Sequence, residues 1–234
     1  MRTIIASLAL LVSAGLASSQ TDKLSFRTLA LAKVEFPELW VPAAGKAVPL
    51  AFSHSQPSAA LKADKTSPLK IYKGPLDDKG KPTDPAPTLV EVPAAASSIL
   101  LLGWMEDEKP GFLAVADPFA TAKSDDWLVI NHTKKPLTLQ IGTTATPVPI
   151  EANSHLAVKC TAPVGEGAAT TVATKQDDGS MKTVYSSYLP IYNDQRGLIL
   201  VVEKGERITV NYISDLIASK AGSKTAPKTA PKKR

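Results

Sequence analysis

Cysteine is almost missing from this chain of 234 residues, where Cys160 stands alone. One cysteine cannot close an internal disulfide, which excludes the disulfide-built scaffolds common among small exported proteins. The motifs that usually announce chemistry are also missing. There is no glycine-rich phosphate loop, no His-Glu-x-x-His, no Gly-x-Ser-x-Gly and no Cys-x-x-Cys. The three histidines, His54, His132 and His155, lie far apart and without ligand-like spacing. No cofactor and no metal site is therefore expected. Aromatic residues make up 6% of the chain, and after the first nineteen residues no apolar run is long enough to span a bilayer.

The first nineteen residues hold an apolar run of their own, and it too is shorter than a bilayer crossing needs. Arg2 precedes the apolar run Ile4–Val12, and small residues follow through Ser19. A cation, an apolar stretch and small residues before a cut are the pattern of a secretory signal peptide. Cleavage is expected before Gln20, with a cut after Ala17 as the alternative. No cysteine stands at the cut to accept a lipid. The expected location is secreted or periplasmic, with no transmembrane segment in the mature chain.

Acidic residues are missing from the other end. All 22 lie between Asp22 and Asp215, whereas residues 218–234 carry Lys220, Lys224, Lys228, Lys232, Lys233 and Arg234. The body from Gln20 to Ile217 holds twenty cations against twenty-two acids, a net −2 beside a tail of +6. The tail repeats Lys-Thr-Ala-Pro and holds no large apolar residue, so it is read as a disordered basic segment. A flexible cationic segment is attracted to polyanions. These six residues are the candidate contacts to an anionic cell-envelope polymer, with a protein partner as the alternative. Without a recognition fold or interleaved aromatics, sequence-specific nucleic-acid binding is not expected.

Between these ends the pattern is strand-like. Leu137–Ile141, Leu156–Cys160 and Ile208–Tyr212 alternate apolar and polar residues, as half-buried strands do. Ile99–Leu102, Leu113–Ala116, Leu128–Ile130 and Leu198–Val202 are apolar on both faces and suit strands covered from both sides. Asp77-Asp78-Lys79-Gly80 and Asp177-Asp178-Gly179 place glycine where tight turns need it. Nineteen prolines oppose helices, and Ser214–Lys220 is the single weak helical stretch. About a dozen strands are expected from Leu24 to Ile213, in an all-β, antiparallel, immunoglobulin-like sandwich over 20–217. One compact unit is the first expectation. Two packed halves, divided near 106–111, are the alternative. No internal repeat of convincing period is visible.

The polar candidates are weak. Ser154 or Ser53 with His155 and Asp117 would form a nucleophile, base and acid only if the fold assembled them. His155 falls on the outward face of its alternating run with Ala157 and Lys159, and Cys160 falls on the inward face. Asn131-His132-Thr133 is a glycosylation sequon. Trp104 and Trp127 border apolar runs and suit the core, whereas Trp40, Tyr185, Tyr188 and Tyr192 are open to binding roles.

The run Trp127–Gly142, followed by Pro149-Ile150-Glu151-Ala152-Asn153-Ser154, resembles uncharacterised exported bacterial β-sandwich proteins. Asp194–Val202 and Ile213-Ser214-Asp215 resemble the same group. The likeness covers the second half best, and Ala152-Asn153 stands where that group tends to have Pro-Gly. The resemblance implies a sandwich and no catalytic residue. The function expected is a non-catalytic binding or structural interaction module, with its tail on anionic envelope polymers. The alternative is a carbohydrate-active enzyme or sugar-binding module, which as an enzyme would need two carboxylates about 5–10 Å apart across a cleft.

Overall fold

The computed structural model describes residues 23–84, 86–176, 178–205 and 207–217. The N-terminal segment expected to be an export signal and the basic C-terminal segment lie outside them. Sixteen strands and no helix occupy the described residues. The first eight are β1 (Lys23–Ala30), β2 (Leu39–Ala43), β3 (Lys46–Pro49), β4 (Leu61–Asp64), β5 (Leu69–Lys73), β6 (Thr88–Val90), β7 (Ser98–Glu106) and β8 (Lys109–Ala116). The next eight are β9 (Asp126–His132), β10 (Leu137–Ile141), β11 (Val148–Ile150), β12 (Ser154–Lys159), β13 (Gly167–Lys175), β14 (Met181–Pro190), β15 (Gln195–Lys204) and β16 (Arg207–Leu216).

They form four sheets in the orders β3-β2-β5-β6, β4-β1-β7-β8, β12-β9-β15-β16 and β11-β10-β13-β14. Adding eight to each strand number of the first half reproduces the second half. The directions repeat as well. β1 runs parallel to β7 and β9 parallel to β15, and the other pairings are antiparallel. The chain is an internal duplication of one eight-stranded sandwich, a repeat not visible in the sequence. The all-β, antiparallel-rich sandwich expected is what the described residues form, in two packed halves that each hold one parallel pair.

Three apolar layers hold the sheets together. Phe26, Val41, Ile71, Ile99 and Leu101 fill the first sandwich. Trp127, Val129, Leu139, Val172 and Ile199 fill the second. Between the inner sheets lies a third core of Leu29, Leu100, Leu102, Leu128, Ile130, Leu198 and Leu200. This explains the runs that are apolar on both faces. Leu101 points into its own sandwich while Leu100 and Leu102 point at the other half, because strand side chains alternate between faces.

Glu106–Gly111 is the hairpin between β7 and β8, with Glu106 paired to Lys109, and the chain passes from one sandwich to the other after Asp117. The helical stretch is corrected in its described part, since Ser214–Leu216 belong to β16 and pair with Gln195–Gly197. Pairing along β15 and burial of Ile213 and Asp215 outweigh a weak local preference. The turn readings hold. Gly80 and Gly179 have φ of 72° and 84°, and Asn153 takes φ 50°, a left-handed conformation that asparagine tolerates.

Candidate functional site

The interface between the halves ends differently on its two sides. At the middle of β1 and the beginning of β15 it is closed by charge. Arg27 donates from Nη1 to Asp215 Oδ1 and from Nη2 to Asp215 Oδ2, both at 2.7 Å, and from Nη2 to Asp117 Oδ2 at 3.1 Å. Arg196 donates from Nε to Asp215 Oδ2 at 2.9 Å and from Nη2 to Asp117 Oδ2 at 2.8 Å. Its Nη2 also lies 2.7 Å from Asp117 Oδ1, at an angle too poor for a hydrogen bond, so that oxygen accepts none. All four side chains are buried. Burial by itself would lower the Arg27 pKa, but hydrogen bonding and charge from Asp215 and then Asp117 outweigh it and raise it. Arg27 also covers the Phe119 ring, 4.4 Å from its centroid.

Duplication places the two carboxylates. Val115 and Ile213 sit in the shared core, and two residues further along the same face stand Asp117 and Asp215. The halves differ in their cations, since Arg27 comes from β1 and Arg196 from β15. A two-plus, two-minus cluster is neutral overall, so its charges need no partner from outside.

The opposite side is open. A cleft of about 1160 Å³ is lined from the first half by Lys33, His54, Trp104 and Glu106, and from the second by His132 and Glu203, among others. The Trp104 and His132 rings lie 4.4 Å apart between centroids. His132 Nδ1 is buried without a hydrogen-bond partner. Burial lowers the His132 pKa, and the charges of Glu106 and Glu203 only partly offset this.

The residues picked from the sequence are dispersed. Asp117 is committed to two arginines, while His155 is exposed on edge strand β12, opposite Ile130. The proposed triad is not supported. Asn131 is fully buried, donating to the carbonyls of Lys135 and Glu151 and accepting from Thr133 Oγ1 at 2.8 Å. It is a corner brace and offers no site for a glycan. Cys160 is a buried core residue, and burial raises its thiol pKa. Trp127 is core, whereas Trp104 packs against the shared core and also lines the cleft. Tyr188 and Tyr192 are exposed. Lys220, Lys224, Lys228, Lys232, Lys233 and Arg234 lie outside the described residues.

Sequence reasoning missed Arg27, Arg196 and Asp215. The available signal was positional. Arg27 interrupts the inward positions of Leu24–Leu31, and Arg196 immediately precedes the apolar run of β15. Among the described residues no three His, Cys, Asp or Glu side chains cluster as a metal site. No helix among them is long and apolar enough to cross a membrane.

No family model matches the chain, and no curated protein matches it. Among solved structures, the pilus adhesin SpaC from Lactobacillus rhamnosus GG matches with 11% identity and a TM-score of 0.16. That match covers 83% of this chain and 28% of the adhesin, so the chain spans little more than a quarter of its length. At so low a score the likeness carries no conclusion about this chain.

Proposed function

We propose that the chain is a non-catalytic binding module of the cell exterior, held to anionic envelope polymers by Lys220, Lys224, Lys228, Lys232, Lys233 and Arg234. The observation carrying this reading is where the ionisable groups sit. The deeply buried ones, Arg27, Arg196, Asp117 and Asp215, neutralise one another, while on the cleft Glu106 and His54 are exposed and Glu203 and His132 are half-buried. Buried charges that neutralise one another are committed to the fold and are not free to act as acid or base on a substrate. A duplicated body of net −2 beside a +6 segment suits adhesion to a polyanion through that segment. Washing cell envelopes with rising salt tests this. The native chain should elute at higher salt than a chain with the six tail cations replaced by glutamine, and equal elution would overturn the tether.

One observation favours a second reading, a carbohydrate-active enzyme. Glu106 and Glu203 reach one cleft from opposite halves. Release of reducing ends from soluble polysaccharides, abolished in Glu203→Gln, would support this reading against simple binding.

A further inference from the structure

The duplication supplies an internal control for which side chains the fold itself demands. In the first half Leu39 accepts a backbone hydrogen bond from Leu50, and in the second Leu137 stands opposite Ile150. All four are buried, so these inward positions keep their apolar character in both copies. The outward positions beside them do not. Trp40 stands opposite Pro49 and Tyr72, whereas the equivalent Thr138 stands opposite Pro149 and Ala173. The outer sheet therefore forms with threonine and alanine at these places. The paired aromatics of the first copy are an addition that the architecture does not require.

That addition is organised. Trp40 and Tyr72 are cross-strand neighbours on β2 and β5, on the face away from the core residues Leu39, Val41, Leu69 and Ile71. The Trp40 indole Nε1–H donates to the Gly74 carbonyl at 2.8 Å, which fixes the ring against the end of β5. Pro42, Pro82, Lys46 and Lys81 complete a depression of about 370 Å³ around the two rings. Among the described residues lining it, none is acidic. Both lysines are exposed, so their charge is available to a ligand.

We infer that Trp40 and Tyr72, flanked by Lys46 and Lys81, form a binding site for an anionic polysaccharide. The apolar ring faces take the C–H faces of sugar rings, a contact that costs the protein little ordering because the indole is already held. The lysines pair with the carboxylates or phosphates that such a polymer carries. Pure polyanions lacking sugar rings satisfy only the lysines, and neutral glycans satisfy only the aromatics. This inference deepens the binding-module reading and rests on it. The site and the tail would grip the same polymer, the first reading its rings and the second its charge. Linking the two contacts raises the effective concentration of each.

Full-length chains separate the two contacts. The six tail cations are replaced by glutamine in one background and kept in the other. Into each go Trp40→Thr, Tyr72→Ala or the pair Lys46→Gln and Lys81→Gln. The first two import residues that the second half already carries at the equivalent places, and thermal unfolding confirms that each variant folds. The probes are soluble polygalacturonate, dextran and polyphosphate. With the tail neutral, polygalacturonate binding should persist, fall about tenfold on Trp40→Thr or Tyr72→Ala, as for loss of one stacking aromatic elsewhere, and fall on removal of the two lysines. Dextran should bind more weakly than polygalacturonate, and polyphosphate should be indifferent to Trp40→Thr. The site is overturned if the tail-neutral chain ignores polygalacturonate, if both aromatic substitutions leave binding unchanged, or if dextran binds as well. Failure of the tether is seen separately, as polyphosphate binding that is equal with and without the tail cations.

Discussion

Arg27 and Asp215 stand 188 residues apart and meet in a two-pronged ion pair, each guanidinium nitrogen 2.7 Å from its own carboxylate oxygen. One comes from the first sandwich and the other from the second, so the pair forms only when the halves are docked. Its side chains are buried, and burial removes the solvent screening that makes surface pairs weak. The cluster ties the two copies together at one end of their shared apolar core.

Removing one member should cost more than removing all four. Asp215→Asn leaves two buried guanidinium groups facing one carboxylate, and about 3–5 kcal/mol of stability should be lost. Replacing Arg27, Arg196, Asp117 and Asp215 together by apolar residues of similar volume should be near neutral. Urea unfolding of both variants checks this. A single variant with native stability would show that the cluster contributes little.

Gly197 should not tolerate a methyl group. A Cβ there would lie 2.5 Å from the Trp127 ring, which is 1% exposed and packs in the second core. Overpacking of a filled core costs about 1–3 kcal/mol. Gly197→Ala should lower the thermal midpoint, whereas Gly165→Ala, with no neighbour within 4 Å and φ +86°, reports backbone strain alone.

Asn131 should resist both substitution and modification. Its amide donates to carbonyls of two neighbouring segments, and its oxygen accepts from the Thr133 amide at 3.1 Å. Asn131→Ala leaves these buried groups unpaired, at about 1–3 kcal/mol for each group not rescued by water. Expression in a glycosylating host, followed by intact mass measurement, should show no glycan at Asn131.

His132 should make stability fall in mild acid. Its folded pKa lies below the ordinary value of 6.5, so between the two values the unfolded chain binds more protons. The stabilisation is complete above about pH 6.5 and is lost as pH falls through the lowered folded value. Glu106 and Glu203 face the ring and narrow the window by favouring its charged form. His132→Gln should flatten this part of a plot of unfolding free energy against pH, and an unchanged slope would remove His132 as its source.

Cys160 should react slowly while the chain is folded. Burial raises its thiol pKa and shields the sulfur, so little thiolate is available at neutral pH. An aromatic disulfide reagent should label it rapidly in denaturant and slowly without. Equal rates would place the thiol at the surface.

Much of the fold was legible locally. Leu137–Ile141 alternates because β10 has one face on the second core, and Leu198–Val202 is apolar throughout because β15 lies between two cores. Asn153 carried its left-handed turn in its own side chain. The repeat was not legible, because equivalent positions share character more than identity. Phe26 and Trp127 occupy matching places in their cores, as do Leu101 and Ile199, and apolar residues substitute for one another when the packing around them adjusts, as Gly197 does against the larger Trp127 ring. The final residues of β16 were misread because pairing with Gln195–Gly197 cannot be seen from Ser214–Leu216 alone.

The sequence by itself determined the strand periodicity, the turn glycines, the isolated thiol and the division of charge between a −2 body and a +6 tail. These are properties of neighbouring residues, and local backbone preference and burial pattern express them directly. Only the tertiary structure decided that the sandwich is doubled, that Asp117 meets Arg27 and Arg196, and that Trp40 meets Tyr72. Those contacts join residues separated by 32 to 90 positions. Their partners are chosen by strand register and sheet order, which are set by burying all three apolar layers at once.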